Sequence, residues 1–449
     1  MKKYILDKNN RSIHFIGVVG VSTSALANHL LREGFNVSGS DTTKTNLSEN
    51  LKSLGAKIYY GHDKKNVFGA DTVIYTSAIS ADNPELLWAK KENLSVFSRS
   101  ELLGEIARSF NRSVAVSGSH GKTTATGMIS DVLINAKINP TVFIGGEHYE
   151  FGNYRSGGND TVVLEACEYK KNFLDIKPTV SVILNIDDDH MDSYLDIKDM
   201  IKSYATFADG SITIVNADDI NASKVFNSTT VTFGIENKAT YSAKRIKHNG
   251  KGYSFTAYAY GRLLGRINLK IKGEHNVYNA LATVAACDIL GVRFHLIKKG
   301  IENFNGIKRR NEYIGQKDGL KYYADYAHHP KEIFSTLKSF INDGKDFITV
   351  FQPHTYSRTR ILMQEFVDVL KDVSPLIIYK TYPAREDYDE QGDAKTLFNE
   401  LKKTNSGKVY YAKGEKELGL ILKKNADSKA RIIFLGAGDI YQIAKGQIN

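Results

Sequence analysis

Short apolar runs alternate with amphipathic stretches along most of the chain. "IHFIGVV" reads as a buried strand, and a turn with Gly17 and Gly20 leads into the helix "STSALANHLLREG". "NVSGSD" follows as a second strand with Asp41 at its end, and "ADTVIYTSAI" as a further buried one. "NPELLWAKKEN" and "SRSELLGEIARSF" read as helices. Strands apolar on both faces and separated by helices predict a parallel sheet. The alternation restarts at "SVAVSGSHGKTT", where strand Ser113–Val116 feeds a loop and helix Thr123–Ala136 leaves it. "DTVVLEACEYKKNF", "TVSVILNIDDDHMD" and "SITIVNADD" each show a buried strand with polar residues at its carboxyl end. "TVTFGI", "TYSAKRI" and "GYSFTAYAYGRLLGRINLKI" alternate with period two and predict antiparallel strands. "GEHNVYNALATVAACDILG" is a helix, apolar at Val277, Leu281, Val284 and Ala285. Then strand "KYYADYA" leads to helix "PKEIFSTLKSFI", and strand "FITVFQPH" to helix "SRTRILMQEFVDVL". "LIIYKTYPA" and "RIIFLGAGDIYQIAKG" complete another α/β layer.

At 449 residues the chain exceeds one core. The pattern predicts an α/β protein of three domains, over 1–110, 111–309 and 310–449. Ligands of open α/β sheets sit outside the carboxyl ends of strands, where almost every polar cluster quoted above lies. No run of 18 or more apolar residues occurs, so no membrane insertion is expected. "MKKYILDKNNRSIHF" lacks the apolar stretch of a signal peptide, and a cytoplasmic protein is expected. The formal charge is +10, but lysines are scattered among acids, as in "KKENLSVFSRSE". That reads as a solvated surface rather than a nucleic-acid stripe, and no nucleic-acid partner is expected. Cys167 and Cys287 are too few for a disulfide framework and lack metal-ligand spacing.

"VSGSHGKTTA" carries the first candidate chemistry. A phosphate site needs free backbone N–H groups, the positive end of a helix and a lysine. Gly118, Ser119, His120, Gly121, Lys122, Thr123 and Thr124, between a strand and a helix, supply all three. Gly118 and Gly121 lack the Cβ that would block a phosphate. Lys122 suits the β- and γ-phosphates, and the Thr123 hydroxyl a Mg²⁺ ion. The front of the loop is shorter than the usual G-x-x-x-x-G-K-[ST], with Val116 where the first glycine would stand. Glu165 ends a neighbouring strand, and Asp187, Asp188, Asp189 and His190 follow another, so carboxylate and imidazole metal ligands are at hand.

"GSHGKTT", "EACEYKKNFL", "NIDDDHMD", "GEHNVYNALA", "GIKRRNEYIG", "ADYAHHPKE", "VFQPHTYSRT" and "GAGDI" occur in this order along essentially the whole chain. Together they resemble the Mur ligases of peptidoglycan synthesis. The resemblance implies an N-terminal Rossmann-like domain for a UDP-sugar, a central P-loop ATPase with a mostly parallel sheet plus a smaller antiparallel one, and a C-terminal Rossmann-like domain. It implies ATP and Mg²⁺ as cofactors. "VFQPHTYSRT" points to the members that join L-alanine to the carboxylate of UDP-N-acetylmuramate through an acyl phosphate. A monomer or weak homodimer is expected.

The resemblance also implies roles. Lys122 would sit on the phosphates, and Thr123, Glu165 and His190 near magnesium. Asn276 and Asn279, with His275 nearby, would contact the adenine side, and Arg309 and Asp325 would reach the ATP. Tyr326, His328, His354 and Arg358 would form the amino-acid pocket, where a guanidinium pairs with two carboxylate oxygens. In the first turn, "GVVGVSTSALA", Val19, Ser22 and Thr23 stand where the family is richer in glycine and methionine. Gly17 and Gly20 with the hydroxyls of Ser22, Thr23 and Ser24 are then the expected sugar-nucleotide donors, and Asp41 the ribose- or uracil-side residue. Two other readings are a ligase that recycles ready-made murein peptides and, in another class, a phosphate-loop switch ATPase.

Overall fold

The computed structural model describes residues 5–6, 11–188, 193–250, 252–341, 346–384, 386–426 and 430–448. The chain forms two compact units, one of residues 1–247, 254–270 and 275–305, the other of 248–253, 271–274 and 306–449.

The first unit opens with β1 (Ser12–Ile16), β2 (Asn36–Asp41), β3 (Lys57–Tyr60), β4 (Thr72–Tyr75) and β5 (Ser95–Ser98). They form one sheet in the order β3-β2-β1-β4-β5, and every pairing is parallel. Parallel neighbours need crossovers, which helices such as Val21–Arg32 and Pro84–Lys91 supply. The central strand β1 is buried from Ile13 to Ile16, as a strand covered on both faces requires. Helix Arg99–Arg108 closes this layer. It starts with a capping box in which Ser98 and Glu101 satisfy each other's backbone N–H groups.

The second sheet comprises β6 (Arg112–Ser117), β7 (Thr141–His148), β8 (Gly152–Arg155), β9 (Thr161–Glu165), β10 (Val180–Ile183), β11 (Ile212–Asn216), β12 (Thr230–Gly234), β13 (Tyr241–His248), β14 (Tyr253–Ala259) and β15 (Arg262–Asn268). Its order is β15-β14-β13-β12-β11-β10-β6-β9-β7-β8. The middle is parallel, and β12, expected to be antiparallel, belongs to it, pairing parallel with both β11 and β13. The antiparallel β14–β15 pair continues the same sheet by way of β13. The opposite edge is an antiparallel hairpin, β7–β8.

That hairpin lies against the first layer. Asn153 Nδ2 donates to Val21 O (2.5 Å) and Ser24 Oγ (2.9 Å), and Tyr154 Oη is 3.0 Å from His29 Nδ1. His29 also meets the Phe143 ring edge-on at 5.4 Å. One hydrophobic cluster, including Leu26, Leu30, Phe110, Phe143 and Tyr154, runs through both layers.

The second unit holds β16 (Glu312–Lys317), β17 (Leu320–Asp325), β18 (Phe347–Phe351), β19 (Leu376–Tyr379), β20 (Val409–Ala412) and β21 (Arg431–Leu435), in the order β16-β17-β21-β18-β19-β20. Only the edge pair β16–β17 is antiparallel among the pairings of the described residues. The stretch "SRTRILMQEFVDVL", expected as one helix, breaks at Leu362 (φ −102°, ψ 24°) into Tyr356–Ile361 and Met363–Leu370. The break lets Phe366, Val367 and Leu370 enter the core while the first piece carries Arg358 on its own axis.

Candidate functional site

The phosphate-type loop follows β6, which is flanked by β9 and β10. Gly118 and Gly121 have φ of +140° and +85°, a region that favours glycine. A Cβ at Gly118 would lie 3.1 Å from the Asn185 backbone, and one at Gly121 2.7 Å from Asn279 Oδ1. Gly121 caps helix Lys122–Asn135 without a side-chain hydrogen bond, so no side chain at the cap competes for the first-turn N–H groups. The loop is strapped to the segment after β10. His120 N donates to Asn185 Oδ1 (2.8 Å), Asn185 Nδ2 to His120 O (3.0 Å) and Asp187 N to Ser119 Oγ (2.9 Å). His120 Nε2 lies 3.1 Å from Asp187 Oδ2.

Lys122 is folded onto its own loop. Its ammonium donates to Gly118 O (2.5 Å), Ser119 O (3.2 Å) and Glu168 Oε1 (2.8 Å). Burial pulls its pKa down, but the Glu168 carboxylate, with Cys167 and Glu165 nearby, leaves it raised overall. Glu168 was not among the residues expected at the site. It stands in the quoted "EACEY", yet only the turn after β9 reveals that it faces the lysine.

Thr123 is 7% exposed, and its hydroxyl makes no hydrogen bond among the described residues. Glu165 ends β9 with Oε1 accepting from Gly145 N at 2.6 Å, and a Cβ at Gly145 would sit 2.6 Å from Oε2. A hydroxyl with no hydrogen bond and a carboxylate suit a hard cation such as Mg²⁺. No group of three His, Cys, Asp or Glu side chains is gathered among the described residues. Mg²⁺ is commonly held by one or two carboxylates together with substrate phosphates. His190 lies outside the described residues.

Helix His275–Ile289 brings its first turn to the loop, since Asn279 Oδ1 faces Gly121. Asn279 Nδ2 donates to Asn276 Oδ1 (2.8 Å), and Asn276 Nδ2 lies 3.2 Å from His275 Nε2. The structure thus brings these three residues together beside Gly121.

The first turn of the chain departs from expectation. Gly17 has φ +83°, and the N–H groups of Gly17 and Val18 both donate to Ser40 O. Asp41 Oδ2 accepts from Val19 N (3.1 Å), so this carboxylate shapes the turn. Thr23 and Ser24 are buried. The Thr23 hydroxyl donates to Gly17 O (2.7 Å), and that of Ser24 to Val21 O (3.0 Å). Both hydroxyls, expected as donors to the sugar nucleotide, bond back to nearby carbonyls, as hydroxyls in a first helical turn do. Ser22 Oγ accepts from Arg99 Nη1 at 2.8 Å.

In the second unit, Arg309, Asp325, Tyr326, His328, His354 and Arg358 gather near the carboxyl ends of β17 and β18. Arg309, at φ +61°, donates to Gly436 O (3.0 Å) and Gly438 O (3.1 Å) and stacks on Tyr326. Asp325 accepts from Asn311 N (2.6 Å) and Ala327 N (2.8 Å); burial raises its pKa despite these bonds and the nearby Arg310. His328 Nδ1 is 2.9 Å from Tyr326 O and therefore carries the proton there. Arg358 Nη1 lies 3.2 Å from His354 Nδ1. A guanidinium only donates, so this imidazole is neutral with its proton on Nε2. Burial, then the charges of His328 and Arg358, lower His354 to about 4. His354 stacks on Tyr382, and the rings of His328 and His354 are 5.6 Å apart.

Thr355 supports this cluster in a way the sequence does not announce. A β-branched residue at φ +66° is a backbone outlier. Its N–H donates to Tyr382 O (2.9 Å), and its hydroxyl caps the short helix bearing Arg358. Glu386 bonds both N–H and hydroxyl of Ser357 at the same helix start.

Three family models match: the Mur ligase family catalytic domain over 12–111, the Mur ligase middle domain over 116–287, and the Mur ligase glutamate ligase domain over 309–438. The chain is 41% identical to the UDP-N-acetylmuramate–L-alanine ligase of Acetivibrio thermocellus, covering 98% of this chain and 96% of that protein. It is 39% identical to the enzyme of the same name from Clostridium tetani, covering 96% of each. The crystal structure of the UDP-N-acetylmuramate–alanine ligase of Thermotoga maritima superposes with a TM-score of 0.85 at 28% identity, over 97% of this chain and 98% of that one.

Proposed function

Because the chain belongs to the Mur ligase family, we infer that it is an ATP-dependent ligase joining L-alanine to the carboxylate of UDP-N-acetylmuramate, in peptidoglycan precursor synthesis. The observation that carries this reading is the likeness to alanine ligases over almost the full length of both partners.

The chemistry explains the residues. A carboxylate is a poor electrophile, so it is activated by the terminal phosphoryl of ATP before the amine attacks and phosphate departs. Such transfer is mainly positioning and electrostatics. The loop N–H groups and Lys122 bind and orient phosphate oxygens. Thr123 and Glu165, with His190 by family resemblance, would hold Mg²⁺, which draws charge off those oxygens. By family resemblance, Asn276 and Asn279 are assigned to the adenine side, and Arg309 and Asp325 to the nucleotide. Arg358 pairs with the alanine carboxylate beside Tyr326, His328 and His354. With His354 neutral, its imidazole adds no second charge beside Arg358. Gly17, Gly20, Ser22 and Asp41 form the sugar-nucleotide turn. An activated sugar nucleotide as substrate fits a cytoplasmic reaction. No helix among the described residues is long and apolar enough to cross a membrane.

A phosphate-release assay with UDP-N-acetylmuramate tests the reading, adding single amino acids or a murein tripeptide in turn. L-Alanine should give the fastest release. Faster release with the tripeptide would make the protein a recycling ligase, and release that ignores both would make it a switch ATPase.

A further inference from the structure

Lys170 and Lys171 stand consecutively in the left-handed region, at φ 52° and 57°. Outliers of this kind persist where surrounding contacts hold them, often to aim a side chain. The two side chains go to different places. Lys171 Nζ lies 2.9 Å from both carboxylate oxygens of Asp199, within the central layer. Lys170 Nζ crosses to the first layer and donates to Ser77 O at 3.1 Å. Ser77 lies just past the carboxyl end of β4, next to Thr76, whose Cγ2 would be 2.8 Å from a Cβ on Gly17. The ammonium is therefore held where a parallel sheet takes its ligand.

The segment is braced there, because Ser100 Oγ donates to Asn172 Oδ1 at 3.2 Å. Lys170 is exposed and forms no ion pair among the described residues, and an ammonium has three protons to give. Across the first turn, Arg99 donates to Ser22 and has no carboxylate within ion-pair reach among the described residues. The Thr23 and Ser24 hydroxyls of that turn point inward.

We propose that Lys170 is a substrate-binding residue: from the central layer, its ammonium pairs with an anionic group of the sugar nucleotide bound on the first layer. It supplies charge recognition that a glycine-rich turn would give through its backbone. The assignment rests on the functional reading above. Calorimetry on the full chain tests it with UDP-N-acetylmuramate and with UDP as probes, using wild type, Lys170→Gln, Lys170→Gly and Lys170→Arg. Glycine tolerates φ +52°, so Lys170→Gly removes the cation without straining the loop. The Kd for UDP-N-acetylmuramate should rise roughly tenfold for Gln and Gly, and stay within about threefold for Arg. The KM values for ATP and L-alanine should stay within about twofold, since the contact is to the sugar nucleotide. An equal loss for UDP assigns the contact to the diphosphate; a loss confined to UDP-N-acetylmuramate assigns it to the sugar acid's carboxylate. Unchanged Kd values, a rise in all three substrates together, or a wild type that binds neither probe would overturn the proposal. A wild type that binds the sugar nucleotide but does not use L-alanine would sink the reaction assignment and leave the Lys170 measurement standing.

Discussion

Replacing Lys122 by alanine should do two separable things. In catalysis it removes the cation of the phosphate loop, and losing one such charge-stabilising group costs roughly 10²–10³ in rate. In stability it takes from Glu168 the ammonium 2.8 Å away, at a place where the two side chains are only 16% and 1% exposed. Breaking a buried pair by deleting one partner costs about 3–5 kcal/mol, because a charge stays behind in a dry site. Neutralising Glu168 as well removes that penalty without restoring the cation. Lys122→Ala/Glu168→Gln should thus recover most of the lost stability and none of the lost rate. Urea unfolding and alanine-dependent phosphate release on the wild type, both single variants and the double variant measure the two effects. Activity of Lys122→Ala within tenfold of wild type would remove Lys122 from the phosphate site. A double variant as unstable as Lys122→Ala would show that the ion pair does not govern the stability of this loop.

Other expectations follow from the second unit and the layer junction. Arg358→Ala should raise the KM for L-alanine roughly 10–100-fold and leave that for ATP nearly unchanged, as loss of a charged hydrogen bond to one substrate requires; steady-state kinetics with each substrate varied decides it. His29, lowered by burial to about 4, is neutral in the folded chain and binds a proton more readily once unfolded. Stability should therefore be fully present above about pH 6.5 and fall as pH drops from there toward 4, where the unfolded chain takes up the proton first. His29→Asn should flatten the dependence of the urea midpoint on pH over that window.

Much of the fold was legible because buried parallel strands and their crossover helices repeat a strong apolar rhythm. The strand–loop–helix unit was legible because Gly118, Gly121, Lys122 and Thr123 stand in a fixed spacing at a strand-to-helix turn. Other features depend on long-range geometry. Nothing local in "TVFIGGEHYEFGNYR" marks the β7–β8 hairpin as the piece that covers helix Val21–Arg32. The inward turn of the Thr23 and Ser24 hydroxyls follows from backbone carbonyls that composition does not reveal. Glu168 is three residues from Glu165 in "EACEY", but one carboxylate meets Gly145 and the other Lys122. The break at Leu362 is invisible to periodicity, since both pieces are helical.

The seating of Asn153 and Tyr154 on Val21, Ser24 and His29 sets a rule for anyone building chimaeras. A foreign N-terminal module spliced at the start of β6 would arrive without the hairpin tailored to it. Its first helix would meet an ill-fitting surface across the shared apolar cluster. Residues 141–155 should travel with the transplanted module, although they lie well downstream of the splice.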